Sequence, residues 1–104
     1  MINNWRLLRK IEDSIIYTYI GKAWTCKHGQ WLVVEDPYHL YSYAFFNNAN
    51  TLIEEEQGLS SQQVKEVAAP ENACYVKFTI GTTDTAAAPP KVSVTDTGPV
   101  EVES

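Results

Sequence analysis

The sequence predicts an α+β fold, in which a small antiparallel sheet of about 4–6 strands carries short flanking helices and an extended C-terminal arm. Three observations lead to this prediction. β-Branched and aromatic runs typical of strands fill much of the first half, short segments with helical spacing and capping residues occur on both sides of them, and the composition changes after Gly81. The 104 residues, 44% of them hydrophobic, suit a single globular domain over residues 1–81 followed by an arm over residues 82–104.

The first third of the chain predicts a helix, a strand and a hairpin. Residues 4–12 begin at an asparagine that can cap a helix, and their apolar side chains recur at helical spacing opposite basic ones. Residues 15–20 are dense in isoleucine and tyrosine, which is typical of a strand. Residues 23–26 and 31–35 have an extended pattern on either side of Gly29, which can adopt positive φ at no steric cost. We therefore expect these two segments to pair as a hairpin.

The middle of the chain contains one ambiguous segment, two predicted helices and one predicted strand. Residues 38–46 fit either a helix or a strand, and their aromatic density favours the strand. Residues 51–57 place acidic side chains near a helix N-terminus and are followed by a glycine. Residues 60–69 open with a capping box and are followed by a proline, so both segments predict short helices. Residues 73–80 alternate polar and apolar side chains, which predicts a half-buried strand.

The arm over residues 82–104 begins with a Thr/Ala/Pro segment that has two consecutive prolines and little to bury. Residues 91–95 and 100–103 then alternate valine with polar residues on either side of a turn. These two short strands either close as a hairpin or add to the edge of a partner's sheet. A disordered tail with incidental alternation is the competing interpretation.

The charge of the chain argues against a nucleic-acid partner. The formal net charge is −5 at pH 7, whereas a general nucleic-acid binder needs basic residues to displace counterions from phosphates. The charge is also divided, because residues 1–31 carry five Lys or Arg and two Asp or Glu, while residues 32–104 carry three and eleven. Such asymmetry can orient an encounter with a charged partner, although two solvated faces of different sign explain it more simply.

The sequence also predicts where the protein resides. It contains no run of about 18 apolar residues and does not begin like a secretory signal, so we expect neither a membrane nor export. The expected location is the cytoplasm, or a virion assembled there. In that reducing setting Cys26 and Cys74 are most simply small buried hydrophobes, and nothing in the sequence shows whether they pair.

No motif for catalysis, for a cofactor or for a metal is present. Cys26 and His28 have a spacing seen in some metal sites, but no second close pair completes a tetrahedral set. The five glycines are scattered and form no phosphate-binding loop, and no serine lies in a nucleophile elbow. The adjacent acids Glu54, Glu55 and Glu56 would point in different directions on the predicted helix. We therefore predict no catalytic residue, no metal site and no cofactor, and expect that the protein is not an enzyme.

Aromatic residues provide the main functional indication. All three Trp, five of the six Tyr and two of the three Phe lie within residues 5–46. Since Trp and Tyr are good anchors in interfaces, the sequence predicts a non-enzymatic interaction or assembly module that binds a protein partner or self-associates. Its small size and general residue pattern suggest a small phage-type virion or accessory protein. The predicted contact residues are Trp24, Trp31, Tyr38, Tyr41, Tyr43, Val92, Val94, Val100 and Val102.

Two alternative functions remain open at this point. An acidic inhibitor or regulator would use the carboxylates of the second half against a basic surface of a partner protein, and its binding would weaken with salt. A small-ligand-binding domain would instead form a pocket lined by Tyr38, His39, Tyr41 and Tyr43.

Overall fold

The computed structural model describes residues 5–11, 14–19, 21–59, 62–84 and 90–96, which form two antiparallel β-sheets around one shared core. No α-helix occurs in this part of the chain, so the predicted α+β class is wrong. The described strands are β1 (Trp5–Ile11), β2 (Ser14–Tyr19), β3 (Trp24–Thr25), β4 (Trp31–Val34), β5 (His39–Phe46), β6 (Leu52–Glu56), β7 (Glu66–Ala68), β8 (Tyr75–Thr82) and β9 (Val92–Thr95).

The first sheet has the strand order β1-β2-β8-β5-β6, and β3 pairs with β8 beside β2. The strands predicted over residues 15–20 and 73–80 are confirmed as β2 and β8, and the ambiguous segment 38–46 forms β5. The alternation of Tyr, Lys and Thr with Val, Phe and Ile along β8 places Val76, Phe78 and Ile80 on the buried face.

The second sheet has three strands in the order β7-β4-β9. Leu32 of β4 lies opposite Val67 on one side and Val94 on the other, and Val34 lies opposite Val92. Residues opposite each other in an antiparallel pair share a face, so these valines face the core together with Leu32 and Val34. Residues 92–95 of the 82–104 segment therefore contribute a strand to this sheet.

The helix predicted over residues 4–12 is instead strand β1. It pairs with β2 along its whole length, and the Trp5 ring meets Tyr19 at 5.2 Å and Phe78 at 5.8 Å between ring centroids. A helix of this length is marginal in water without tertiary support. Pairing with β2 satisfies the backbone groups and places Trp5 against two other rings, so the strand is preferred.

The two helices predicted in the middle of the chain are also wrong. In the segment 51–57, β6 pairs with β5, from Tyr43 opposite Glu56 to Phe46 opposite Leu52. In the described part of the segment 60–69, β7 pairs with β4. Both segments contain capping residues, but their backbone groups pair with other strands. β6 pairs with β5, which ends six residues earlier at Phe46, and β7 pairs with β4, which ends more than 30 residues earlier. Helical spacing and caps within a segment do not reveal such a partner.

The turn predicted around Gly29 is present, but the two strands beside it do not pair with each other as a hairpin. The Gln30 N–H donates to the Lys27 carbonyl at 2.8 Å and Gly29 has a φ of 96°, as a turn requires. However, β3 pairs with β8 in the first sheet, whereas β4 pairs with β7 and β9 in the second. The turn therefore connects the two sheets.

Both sheets contribute side chains to the core, and the segment 64–65 links β4 to the start of β5. The Val34 N–H donates to the Lys65 carbonyl and the Leu40 N–H to the Val64 carbonyl, each at 2.7 Å, so one short segment joins β4 to β5. The Lys65 ammonium forms an ion pair with Asp36 and donates to the Tyr38 carbonyl at 2.9 Å. It thereby fixes the turn that leads into β5, in which the Asp36–Pro37 peptide bond is cis.

His39 is packed closely at the start of β5. It lies opposite Gly81 and is 1% exposed, and a Cβ added at Gly81 would lie 2.8 Å from Cδ1 of Ile16 and 3.3 Å from Nε2 of His39. A side chain at position 81 would therefore have to displace the end of the Ile16 side chain and would press against the His39 ring. Burial lowers the pKa of His39, and the nearby positive charge of Lys65 lowers it further.

Removing β9 should destabilise the whole domain. A chain that ends at residue 84 leaves β4 with one strand partner and uncovers Leu32 and Val34, which are 0% and 2% exposed. We expect a loss of about 2–5 kcal/mol in the free energy of unfolding, or failure to fold, measured by urea titration with circular dichroism. A chain that ends at residue 96 keeps β9 and is the control. Equal stability of the two chains would contradict the role assigned to β9.

Folding stability should fall with acid because of His39. The unfolded chain protonates this imidazole below about pH 6.5, whereas the folded protein resists protonation. The contribution of the neutral, buried His39 to the free energy of unfolding is therefore fully present above that pH. It is lost as the pH falls through about 6.5 toward the lower folded pKa, with a slope of at most about 1.4 kcal/mol per pH unit. Urea titrations across this range should show less pH dependence in His39→Gln. Exposed His28 is the control, since His28→Gln should retain the full dependence.

Candidate functional site

The exposed large hydrophobic side chains of the described residues all lie on the two outer strands of the first sheet. Leu7 and Leu8 of β1 are 58% and 48% exposed, and Leu52 and Ile53 of β6 are 45% and 37% exposed. An outer strand presents unpaired backbone N–H and C=O groups, and proteins usually avoid apolar side chains there because such edges recruit other strands. These two strands are therefore the candidate functional site.

The β1 edge, residues Trp5–Ile11, pairs with β2 on one side and with no described strand on the other. Its register passes from Leu7 opposite Tyr17 to Arg9 opposite Ile16, so Leu8 has no opposite residue and forms a bulge. Apart from these leucines the edge is basic, since Arg6, Arg9 and Lys10 lie within seven residues.

The β6 edge, residues Leu52–Glu56, lies at the opposite side of the same sheet. All five of its residues are exposed, and among the described strands it pairs with β5 alone. Glu54 and Glu56 lie opposite Phe45 and Tyr43, on the same face of the sheet. Burial raises the pKa of the Tyr43 hydroxyl, and the charges of these two glutamates raise it further, so their field reaches the neighbouring strand.

The two edges have opposite charge and similar apolar content. The β1 edge carries three basic residues and two exposed leucines, while the β6 edge carries three acidic residues and an exposed Leu-Ile pair. Arg6, Lys10 and the three glutamates form no ion pair with another described residue. Both edges can accept one further strand through main-chain hydrogen bonds, with side chains determining which strand fits.

Most of the contact residues predicted from the sequence face the protein's own interior. Tyr38 is 2% exposed and its ring lies 6.1 Å from that of Tyr17. Tyr43 is half-buried against the ring of Phe45, and Val92 and Val94 pack against the core from β9. Tyr41 is half-buried at the β5 bulge, and Val100 and Val102 lie outside the described residues. The structure does not bring the described residues of this set together on one surface.

Trp24 belongs to a cluster of four rings on the inner face of the first sheet. Trp24 meets Tyr19 at 5.3 Å and Phe78 at 5.2 Å, both edge to face, and Trp5 contacts the same two partners. Gly21 permits the arrangement, since a Cβ there would lie 2.4 Å from Cε2 of Tyr19. Edge-to-face contacts of this kind stabilise a core beyond area burial, so the cluster has a structural role.

Trp31 differs from the other predicted aromatics because it points away from the core. It alternates along β4 with the buried Leu32 and Val34, so Trp31 and Val33 lie half-buried on the outer face of the second sheet. Among the described residues, this face has no large hydrophobic side chain as exposed as those of the two edges.

Tyr38 and His39 are 2% and 1% exposed, so they do not present an open ligand-binding surface together with the half-buried Tyr41 and Tyr43. A cavity of about 240 Å³ lies elsewhere, beside the aromatic cluster, with Lys22 and Lys77 at its rim. Within the described ranges no group of three or more His, Cys, Asp or Glu side chains could hold a metal ion.

Sequence reasoning missed Leu7, Leu8, Leu52 and Ile53 because it placed them on helices, where their exposure could not be recognised. One available signal was the composition of the two segments. Each combines adjacent apolar residues with three like charges within seven residues, and charges of this kind are how natural sheets protect their outer strands.

The two cysteines should react at very different rates. Cys26 is fully buried and burial raises the pKa of its thiol to about 11, while Cys74 is only half-buried; both thiols are free. Raising a thiol pKa by about two units lowers the reactive thiolate about 100-fold at pH 8, and burial slows access further. Alkylation of the native protein should therefore show one fast and one slow thiol by mass spectrometry. Cys74→Ser should abolish the fast phase, whereas loss of the fast phase in Cys26→Ser would contradict this assignment.

No helix among the described residues has the length and apolar character needed to cross a bilayer. Comparison of the chain with protein-family models, with curated proteins and with solved structures finds no match.

Proposed function

We propose that this protein is a non-enzymatic assembly module that self-associates by pairing strands at the exposed edges of its first sheet. The observation that supports this function is the confinement of the exposed large hydrophobic side chains of the described residues to the β1 and β6 edges. Scattered exposed leucines need no explanation, but two pairs located on the two outer strands of one sheet do.

Strand addition at these edges supplies both affinity and burial. Each outer strand leaves a row of backbone donors and acceptors in solvent, and a paired strand would satisfy them. The added strand would also cover Leu7 and Leu8, or Leu52 and Ile53, at about 25 cal/mol for each Å² of apolar surface removed from water. The acids on β6 and the basic residues on β1 restrict which strands each edge accepts.

The setting we propose is a small virion or accessory protein made in the cytoplasm, in which many copies of one chain assemble. The free thiols of Cys26 and Cys74 are compatible with that setting, since disulfides are rare in the cytoplasm. A partner of different sequence that offers an outer strand would use the same edges.

Polar substitutions at the edges should prevent association without unfolding the domain. Leu7→Ser with Leu8→Ser on β1, and Leu52→Ser with Ile53→Ser on β6, change side chains that are 37–58% exposed, so stability should change little. We expect the wild-type chain to show a mass that rises with concentration in sedimentation equilibrium. Each double variant should raise the dissociation constant at least about tenfold, which corresponds to about 1.4 kcal/mol.

Val33→Ser is the control for the assembly test, since Val33 lies on the outer face of the second sheet, away from both edges. It should associate as the wild type does, with circular dichroism confirming that every variant is folded. A wild-type chain that stays monomeric up to the highest soluble concentration would refute the proposed function. Loss of association in Val33→Ser alone would assign it to the second sheet instead.

A further inference from the structure

Resting on the assembly function above, we infer that the contact joins unlike edges: the β1 edge of one copy pairs with the β6 edge of the next. This identifies the partner of each edge as a second copy of the same chain in a head-to-tail arrangement. The inference follows from the charges of the two edges, from the direction of their strands and from the order of residues within each strand.

The charges oppose a two-fold symmetric dimer. Pairing β1 with β1 would place Arg6, Arg9 and Lys10 beside the same three residues of the other copy, and pairing β6 with β6 would bring six glutamates together. Like charges directly opposite each other destabilise a strand pair. Pairing β1 with β6 brings three basic residues against three acidic ones, so the unlike edges attract each other and the like edges repel.

The strand directions show how the unlike edges meet. Each neighbouring pair in the order β1-β2-β8-β5-β6 is antiparallel, so β1 and β6 run in the same direction. Copies that continue the first sheet with their second sheets on the same side therefore pair β6 with the next β1 in parallel. Such a sheet extends from copy to copy without reversing its faces.

The residue order matches this parallel pairing. Both edges have their apolar pair before their charged residues, as Leu7-Leu8 precedes Arg9-Lys10 and Leu52-Ile53 precedes Glu54-Glu55. With Leu7 beside Leu52, a parallel register places the two apolar pairs together and Arg9-Lys10 beside Glu54-Glu55. An antiparallel register that overlaps the same four residues of each strand, 7–10 with 52–55, would instead place Leu7-Leu8 beside Glu54-Glu55.

A contact between unlike edges leaves each dimer with two unpaired edges. Each copy added at one end leaves a free β1 edge at one side and a free β6 edge at the other. The assembly grows until the rotation between copies closes a ring, or it continues as a filament.

Reversing the charges of one edge at a time tests the inference. Arg6→Glu with Lys10→Glu makes both edges acidic, and Glu54→Lys with Glu55→Lys makes both edges basic; all four side chains are exposed. We expect each double variant alone to be monomeric, and an equimolar mixture of the two to recover assemblies larger than a dimer in sedimentation velocity. Association of the wild type should weaken as salt rises, because exposed charges are screened beyond about 8 Å at physiological ionic strength.

The controls change net charge by the same amount away from both edges. Lys27→Glu with Lys91→Glu matches the acidic variant, and Glu35→Lys with Glu71→Lys matches the basic one; these four residues are also exposed. Both controls should assemble as the wild type does. If they lose association as well, net charge rather than edge charge governs assembly and the inference is overturned.

The remaining outcomes separate this inference from the proposed function. If each edge variant still forms dimers on its own, the contact joins like edges and the head-to-tail inference fails while the assembly function stands. If neither variant associates and their mixture stays monomeric, the inference also fails. If the wild type never associates, the assembly function itself fails.

Discussion

Pairing along both sides of β8 determines where every other strand of the first sheet lies. One side of β8 pairs with β5, and the other pairs with β2 at residues 79–82 and with β3 at Tyr75 and Val76. Its inward side chains Val76, Phe78 and Ile80 form the surface on which the second sheet packs. A slip of one residue in any of these pairings would turn that apolar row toward solvent, so the register of β8 fixes both sheets at once.

The sequence predicts those strands whose own residues alternate or are β-branched. It does not predict the strands that form only because a partner strand lies beside them. Residues 73–80 alternate with period two, and residues 15–20 are β-branched and aromatic, so β8 and β2 were recognisable locally. Residues 4–12 and 51–57 are short, and their apolar residues satisfy helical and extended spacing equally. Only pairing with the neighbouring strands β2 and β5 decides for the strand, and the spacing within residues 4–12 and 51–57 does not show that pairing.

The candidate site was hidden from sequence reasoning for a related reason. Large rings such as Trp24 and Tyr38 were expected to anchor a partner, but rings bury the most area, so the fold packs them against the core. The edges became recognisable only when the sheet order showed which strands are outermost. The sequence already shows that the two halves of the chain differ in charge. The sheet order places the basic residues of β1 and the acidic residues of β6 on opposite edges of one sheet.

The position of β9 also constrains how the protein is made. β4 ends at Val34, and its neighbour in the second sheet is β9, whose first residue is Val92. On the ribosome, β4 must therefore wait for more than half of the chain to be synthesised before both of its edges are paired. Contacts of such long sequence separation slow folding, since the intervening chain must be ordered first. Until then one side of β4 has no partner strand, and Leu32 and Val34, which are buried in the folded protein, are not yet covered by β9.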